Sequence, residues 1–124
     1  MLVDTDVLID YLRGRIQAIT FLERNIDRLH ISAVTVAELY QGVREGDERA
    51  KLAKTLSALT VLPLTEEIAA SAGLLRRDNR AAMGCGLADC LIAATACRHG
   101  LTLVTLNAKH FGMLDDVVVP YQKV

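Results

Sequence analysis

Apolar residues fall along this chain in two rhythms. Short, largely apolar runs at Leu2-Val3, Leu29 to Ser32, Val61 to Leu64, Leu101 to Leu106 and Val117 to Val119 have the length of strands, and between them apolar positions recur every three or four residues. The order predicted is strand, helix, helix, strand, helix, helix, strand, helix, helix, strand, strand. Val7, Leu8, Tyr11 and Leu12 share a face of the first helix, with Asp6 as its expected N-cap and Gly14 as its stop. Ile16, Ile19, Leu22 and Ile26 trace a second helix, and Val34 to Val43 a third, capped near Ser32. Ala50, Leu52, Ala53, Leu56 and Leu59 trace another, after the polar stretch Arg44 to Glu48. Pro63 marks the third run as an edge strand or a connector. Thr65-Glu66-Glu67 is a capping threonine with an acidic first turn, opening a helix through Ile68, Ala72, Leu75 and Arg76. Met83 to Gly86 is a break, Leu87 to Arg98 a small-residue helix closed by His99-Gly100, and Asn107 to Leu114 a loop or short helix.

Short apolar strands separated by helices predict an α/β protein, a single-domain α/β/α sandwich over residues 1–124 with a short, mostly parallel central sheet. Ligands of such sheets bind beyond the carboxyl ends of the strands, where Asp4, Ser32 and Asn107 fall. Composition fits one domain, with 124 residues, 52% hydrophobic and only 4% aromatic. Fourteen Lys and Arg against fifteen Asp and Glu give a net charge of −1, so binding of a polyanion by bulk charge is excluded and any such contact is local. No apolar run reaches the roughly 20 residues of a membrane span, and Asp4, Asp6 and Asp10 stand where a secretory signal carries bases, so a cytoplasmic location is expected. Cys85, Cys90 and Cys97 form neither an even disulfide set nor a C-x-x-C pair and are read as packing residues.

Three acids stand where a core would not place them. Asp4 follows directly on an apolar strand, and Glu38 shares a helical stripe with Val34, Thr35 and Gly42, a placement that taken alone suits a boundary position near solvent. Asp89 is set among Leu87, Ala88, Cys90, Leu91, Ile92 and Ala93, with no base before Arg98. Two accounts of Asp89 are open: a cation nearby, or a first-turn acid favoured by its helix N-terminus. Three carboxylates from separate elements suit a hard divalent cation, Mg²⁺ or Mn²⁺, that takes oxygen ligands. Zinc fits less well, since His30, His99 and His110 form no H-x-x-x-H pair. The phosphate loop G-x-x-x-x-G-K-[ST], the dinucleotide fingerprint G-x-G-x-x-G and the nucleophile turn G-x-S-x-G are all absent.

Four linked stretches then match a known pattern: Leu2-Val3-Asp4-Thr5-Asp6-Val7; Ser32 with Thr35-Val36-Ala37-Glu38-Leu39; Leu87-Ala88-Asp89-Cys90-Leu91-Ile92-Ala93-Ala94; and Leu103-Val104-Thr105-Leu106-Asn107 with His110-Phe111. In this order the chain resembles a PIN-domain ribonuclease of the VapC toxin type over nearly its whole length. The resemblance implies a PIN-like fold and metal-dependent endonucleolytic hydrolysis of RNA. It implies Asp4, Glu38 and Asp89 as catalytic, metal-binding acids, with Thr5, Asp6, Thr105 and Asn107 supporting them. It also implies a cognate VapB-type antitoxin and a homodimer. Asn107 stands where many relatives carry a fourth acid, which bears on a second metal and leaves a rival reading, a non-catalytic PIN-like module that binds RNA or an antitoxin. A local phosphate track could come from Arg13, Arg15, Arg44, Arg76, Arg77, Arg80 and Lys109. A phosphate-accepting receiver domain lacks its acceptor, since Val61 to Leu64 offers no Asp.

Overall fold

The computed structural model describes residues 1–83 and 85–122, apart from the side chains of 80–83. Arg80 as a basic contact, and Gly84 within the expected break, therefore lie outside the described residues. Elements follow the predicted order: β1 (Leu2–Val3), α1 (Thr5–Leu12), α2 (Ile16–Asn25), β2 (His30–Ser32), α3 (Ala33–Gln41), α4 (Asp47–Ser57), β3 (Thr60–Leu62), α5 (Glu66–Met83), α6 (Leu87–His99), β4 (Leu103–Val104) and β5 (Val117–Val118). Short 3-10 turns at Ile26–Arg28 and Ala108–Phe111 lead towards β2 and β5. The five strands form one sheet in the order β3-β2-β1-β4-β5, and every pairing is parallel.

Alternation along the strands sorts side chains to the two faces. Val3, Ile31 and Val104 join Val7, Leu8, Leu22, Leu39 and Leu52, so α1 to α4 contribute to one layer. Leu2 and Leu103 point the other way, onto Ile92, Ala93 and Ala96 of α6 and onto Phe111. Cys85 and Cys90 are buried with Ile68, Ala72 and Ala94 between α5 and α6, whereas Cys97 is exposed, so the packing role holds for two of the three cysteines. β3 is the edge strand that Pro63 predicted, with Val61 open to solvent.

Helix starts follow side-chain chemistry. Ser32 caps α3, its Oγ accepting from the Val34 N–H at 3.0 Å, and Thr65 Oγ1 accepts from the Ile68 N–H at 3.2 Å. The cap of α1 is Asp4 and not Asp6, because the helix begins directly after the two-residue strand and Asp4 Oδ1 takes the Thr5 N–H at 2.8 Å. Asp6 lies within the first turn and its carboxylate serves another element. Gly14, at φ +82°, supplies the left-handed turn after α1.

Candidate active site

The chain leaves central β1 in two directions, first outward through β2 and β3, then to β4 and β5 on the other side. The reversal places a crevice at the carboxyl ends of β1 and β4. Asp4 and Thr105, the residues that follow these strands, meet there: Thr105 Oγ1 donates to Asp4 Oδ2 at 2.7 Å. The Thr105 hydroxyl accepts in turn from the Asn107 N–H at 3.1 Å. Asp6 Oδ2 accepts from the Leu106 N–H at 3.1 Å, so this acid ties the segment after β4 back to α1.

Glu38 enters from α3 on the other flank. Thr5 Oγ1 donates to Glu38 Oε1 at 2.6 Å and lies 3.1 Å from Thr35 Oγ1. Its single proton serves the carboxylate, so the Thr35 hydroxyl donates to Thr5. Asp89 is delivered by the first turn of α6, where the helix N-terminus favours its charge. Its Oδ2 is 3.5 Å from His110 Nδ1, and the Asn107 side-chain amide is 3.0 Å from the same ring nitrogen. His110 is a site residue that the sequence reading left aside. Its signal was the three-residue step from Asn107, which a short helical turn closes into contact.

The electrostatics centre on Asp4. It is 6% exposed, and its carboxyl is pushed up to about 7, first by burial and then by the Asp6 carboxylate, with Asp89 adding to the rise. The bonds from Thr105 and the Thr5 N–H oppose the shift without cancelling it. Asp4, Asp6 and Asp89 thus share one field in a place that is costly for negative charge. Of the expected basic track, Arg15 pairs with Asp10 at 3.4 Å and Arg77 with Asp78 at 2.9 Å, while Lys109 is exposed.

The PIN domain family matches residues 1–115. "Ribonuclease VapC10" of Mycobacterium tuberculosis is 44% identical over 124 residues, spanning 98% of this chain and 92% of the relative. This chain belongs to the PIN-domain family, in its VapC branch. A second VapC relative, "Ribonuclease VapC19" of the same species, is 38% identical over 97% of this chain and 98% of its own length. The PIN fold superposes on a chain of a "Toxin-antitoxin complex from Klebsiella pneumoniae" with a TM-score of 0.85 at 32% identity, covering 98% of each chain. It also matches a chain of FitAcB from Neisseria gonorrhoeae at a TM-score of 0.76 and 29% identity, covering 96% of each.

The VapC resemblance makes a divalent metal the group to test against this site. Among the described residues no three His, Cys, Asp or Glu side chains form a ready-made metal cage. Mg²⁺ does not ask for one, since it keeps several waters and takes one or two carboxylates together with substrate phosphate oxygens. Asp4 and Asp89 are close enough for their charges to couple, their donors are hard oxygens, and Asp4 is held away from ionisation first by burial and then by neighbouring negative charge. A divalent cation offsets that charge, so the residues fit.

Proposed function

We propose that this PIN-domain protein is a Mg²⁺- or Mn²⁺-dependent endoribonuclease that hydrolyses RNA phosphodiester bonds as the toxin of a toxin–antitoxin pair. The observation that carries the reading is the meeting of Asp4, Asp6 and Asp89 in one field at the sheet's switch point, with Glu38 bonded to Thr5, the residue after Asp4. The VapC relatives named ribonucleases support the activity, and the toxin–antitoxin complexes among its structural neighbours support a VapB-type antitoxin. Asp4 and Asp89 would hold the cation, with Glu38 as the third acid. When bound, the cation supplies Lewis-acid charge against the scissile phosphate and makes water nucleophilic near neutral pH.

The protein's own part is preorganisation. Thr105 fixes the outer oxygen of Asp4, Thr5 fixes one oxygen of Glu38, and Asp6 anchors the backbone that carries Thr105 and Asn107. Asn107 orients His110, which faces Asp89. These contacts set the acids before RNA arrives, so little reorganisation accompanies the reaction. The protein would act as a homodimer, and exposed Leu64, Leu74 and Leu87 leave apolar surface for it. Among the described residues no helix is long and apolar enough to cross a membrane.

The test is incubation of the purified chain, freed of antitoxin, with end-labelled total RNA in Mg²⁺ or Mn²⁺ and then in excess chelator, beside Asp89→Asn. Discrete products that need both metal and Asp89 are expected. A folded wild-type protein that cuts no RNA with either metal makes this a non-catalytic binding module.

A further inference from the structure

Bordering Glu38 lies a cavity of about 470 Å³ between α1, α3 and α4, whose charged lining is Arg13, Glu38, Arg44, Glu48 and Lys51. One of its walls is therefore a site carboxylate. Arg13 is the C-cap of α1, and Arg44 follows α3 on the loop to α4. The Arg44 N–H donates to Glu48 Oε1 at 3.2 Å, which fixes that loop and engages the second acid of the groove. Lys51 Nζ donates to the Leu12 carbonyl at 3.2 Å across the end of α1.

Unpaired arginines are not confined to the groove, since Arg24 and Arg28 are exposed and, among the described residues, show no ion pair, but Arg13 and Arg44 share one groove with a site acid. Arg15, Arg49, Arg77 and Arg98 each pair with a carboxylate. Arg13 and Arg44 are exposed, and among the described residues neither guanidinium has an ion pair or a hydrogen bond. A cation near a helix C-terminus has a bland account in the helix dipole, worth a few tenths of a kcal/mol to about 1. That account does not explain why two such cations share one groove with Glu38. Guanidinium forks match phosphate oxygens, and the groove has no aromatic lining on which bases could stack.

We propose that this groove seats the RNA strand next to the scissile phosphate, with Arg13 and Arg44 binding backbone phosphates. The inference deepens the nuclease reading and rests on it for the identity of the strand. Binding there is set by backbone charge, tolerates many sequences and weakens steeply with salt.

The experiment measures fluorescence anisotropy of a short, end-labelled single-stranded RNA of mixed sequence on the full chain, across a series of KCl concentrations. The variants are Arg13→Ala/Arg44→Ala and, as a control away from the groove, Arg24→Ala/Arg98→Ala. Loss of two phosphate contacts is expected to weaken binding at least about tenfold and to lower the slope of log affinity against log salt by about 1.4, while the control stays as wild type. An unchanged slope and affinity in the groove variant overturns the proposal, as does a wild-type chain that binds no RNA. A labelled glutamate-rich peptide is run in parallel. If the groove variant loses the peptide and keeps RNA, the groove serves an acidic protein segment and the proposal fails. The two readings separate in a cleavage assay of the same proteins. RNA binding that depends on the arginines without metal-dependent cleavage sinks the nuclease reading alone. Cleavage with unchanged KM in the groove variant sinks the groove alone.

Discussion

Asp4 is a buried carboxyl set near two others, and the consequences can be measured without substrate. A carboxyl raised in the folded state keeps its proton to higher pH than the same group in the unfolded chain. Between its ordinary 3.8 and about 7 the folded protein therefore binds more protons, and stability falls as pH rises through this window. Above pH 7 the full penalty is present, up to roughly 4 kcal/mol at about 1.4 kcal/mol per pH unit. Asp4→Asn in chelator is expected to be more stable than wild type above pH 7, with the gain vanishing near pH 4. The Thr105 hydroxyl can turn to accept from the new amide, so no donor is stranded. Urea melts across pH decide it, and a gain that does not grow with pH would show that the native site already compensates the charge. At this scale Asp4 and Asp89 stood out in the sequence as acids in apolar stretches, whereas Glu38 was drawn in only by the resemblance. The roles of Asp6 and His110 were not, since the Leu106 N–H lies 100 residues from Asp6 and the Asp89 contact of His110 spans two elements.

Elements were legible in kind and order because short runs with apolar residues mark the strands and most helices keep a three-to-four rhythm. Their ends were not. The run Leu101 to Leu106 reads as one strand, but only Leu103–Val104 forms β4, because the Leu101 N–H closes the end of α6 on the Ala96 carbonyl and the Leu106 N–H turns away to the Asp6 carboxylate. Backbone that continues a strand in the sequence pattern is here diverted to build the site. At β2 the same handover goes to a cap: Ser32 ends the strand and starts α3, the helix that carries Glu38. Ser32 is 1% exposed, so water cannot replace its hydroxyl at the Val34 N–H. Ser32→Ala is expected to lower the unfolding free energy by about 1 kcal/mol, read as a lower denaturation midpoint with an unchanged m-value. A loss much below this range would mean that packing of Leu39 and Thr35 alone sets the start of α3.

Across the whole molecule, the site exists only when distant parts of the chain have met. Thr105 reaches Asp4 over 101 residues and Thr5 reaches Glu38 over 33, through a sheet whose centre is the first strand and whose neighbour is the fourth. A crevice beyond the strand ends followed from the α/β pattern, yet the strand order that puts Asp4 beside Thr105 is a long-range fact that no local pattern contains. Because the proposed metal ligands come from β1's end, α3 and α6, an unfolded chain offers no comparable site. Metal binding should therefore couple to global unfolding and not to the fraying of one element. With Mn²⁺ at a hundred times its Kd and pH above 7, the whole transition is expected to rise by about 2.7 kcal/mol. The same titration on Asp4→Asn should give a much smaller rise, because the amide keeps an oxygen and loses the charge. Thermal melts with tyrosine absorbance and far-UV circular dichroism followed together separate the possibilities. Coincident shifts in both signals, abolished by chelator, are the expected result. A shift confined to one signal would mean that the cation binds a locally formed site, and equal shifts in wild type and Asp4→Asn would place it away from Asp4 altogether.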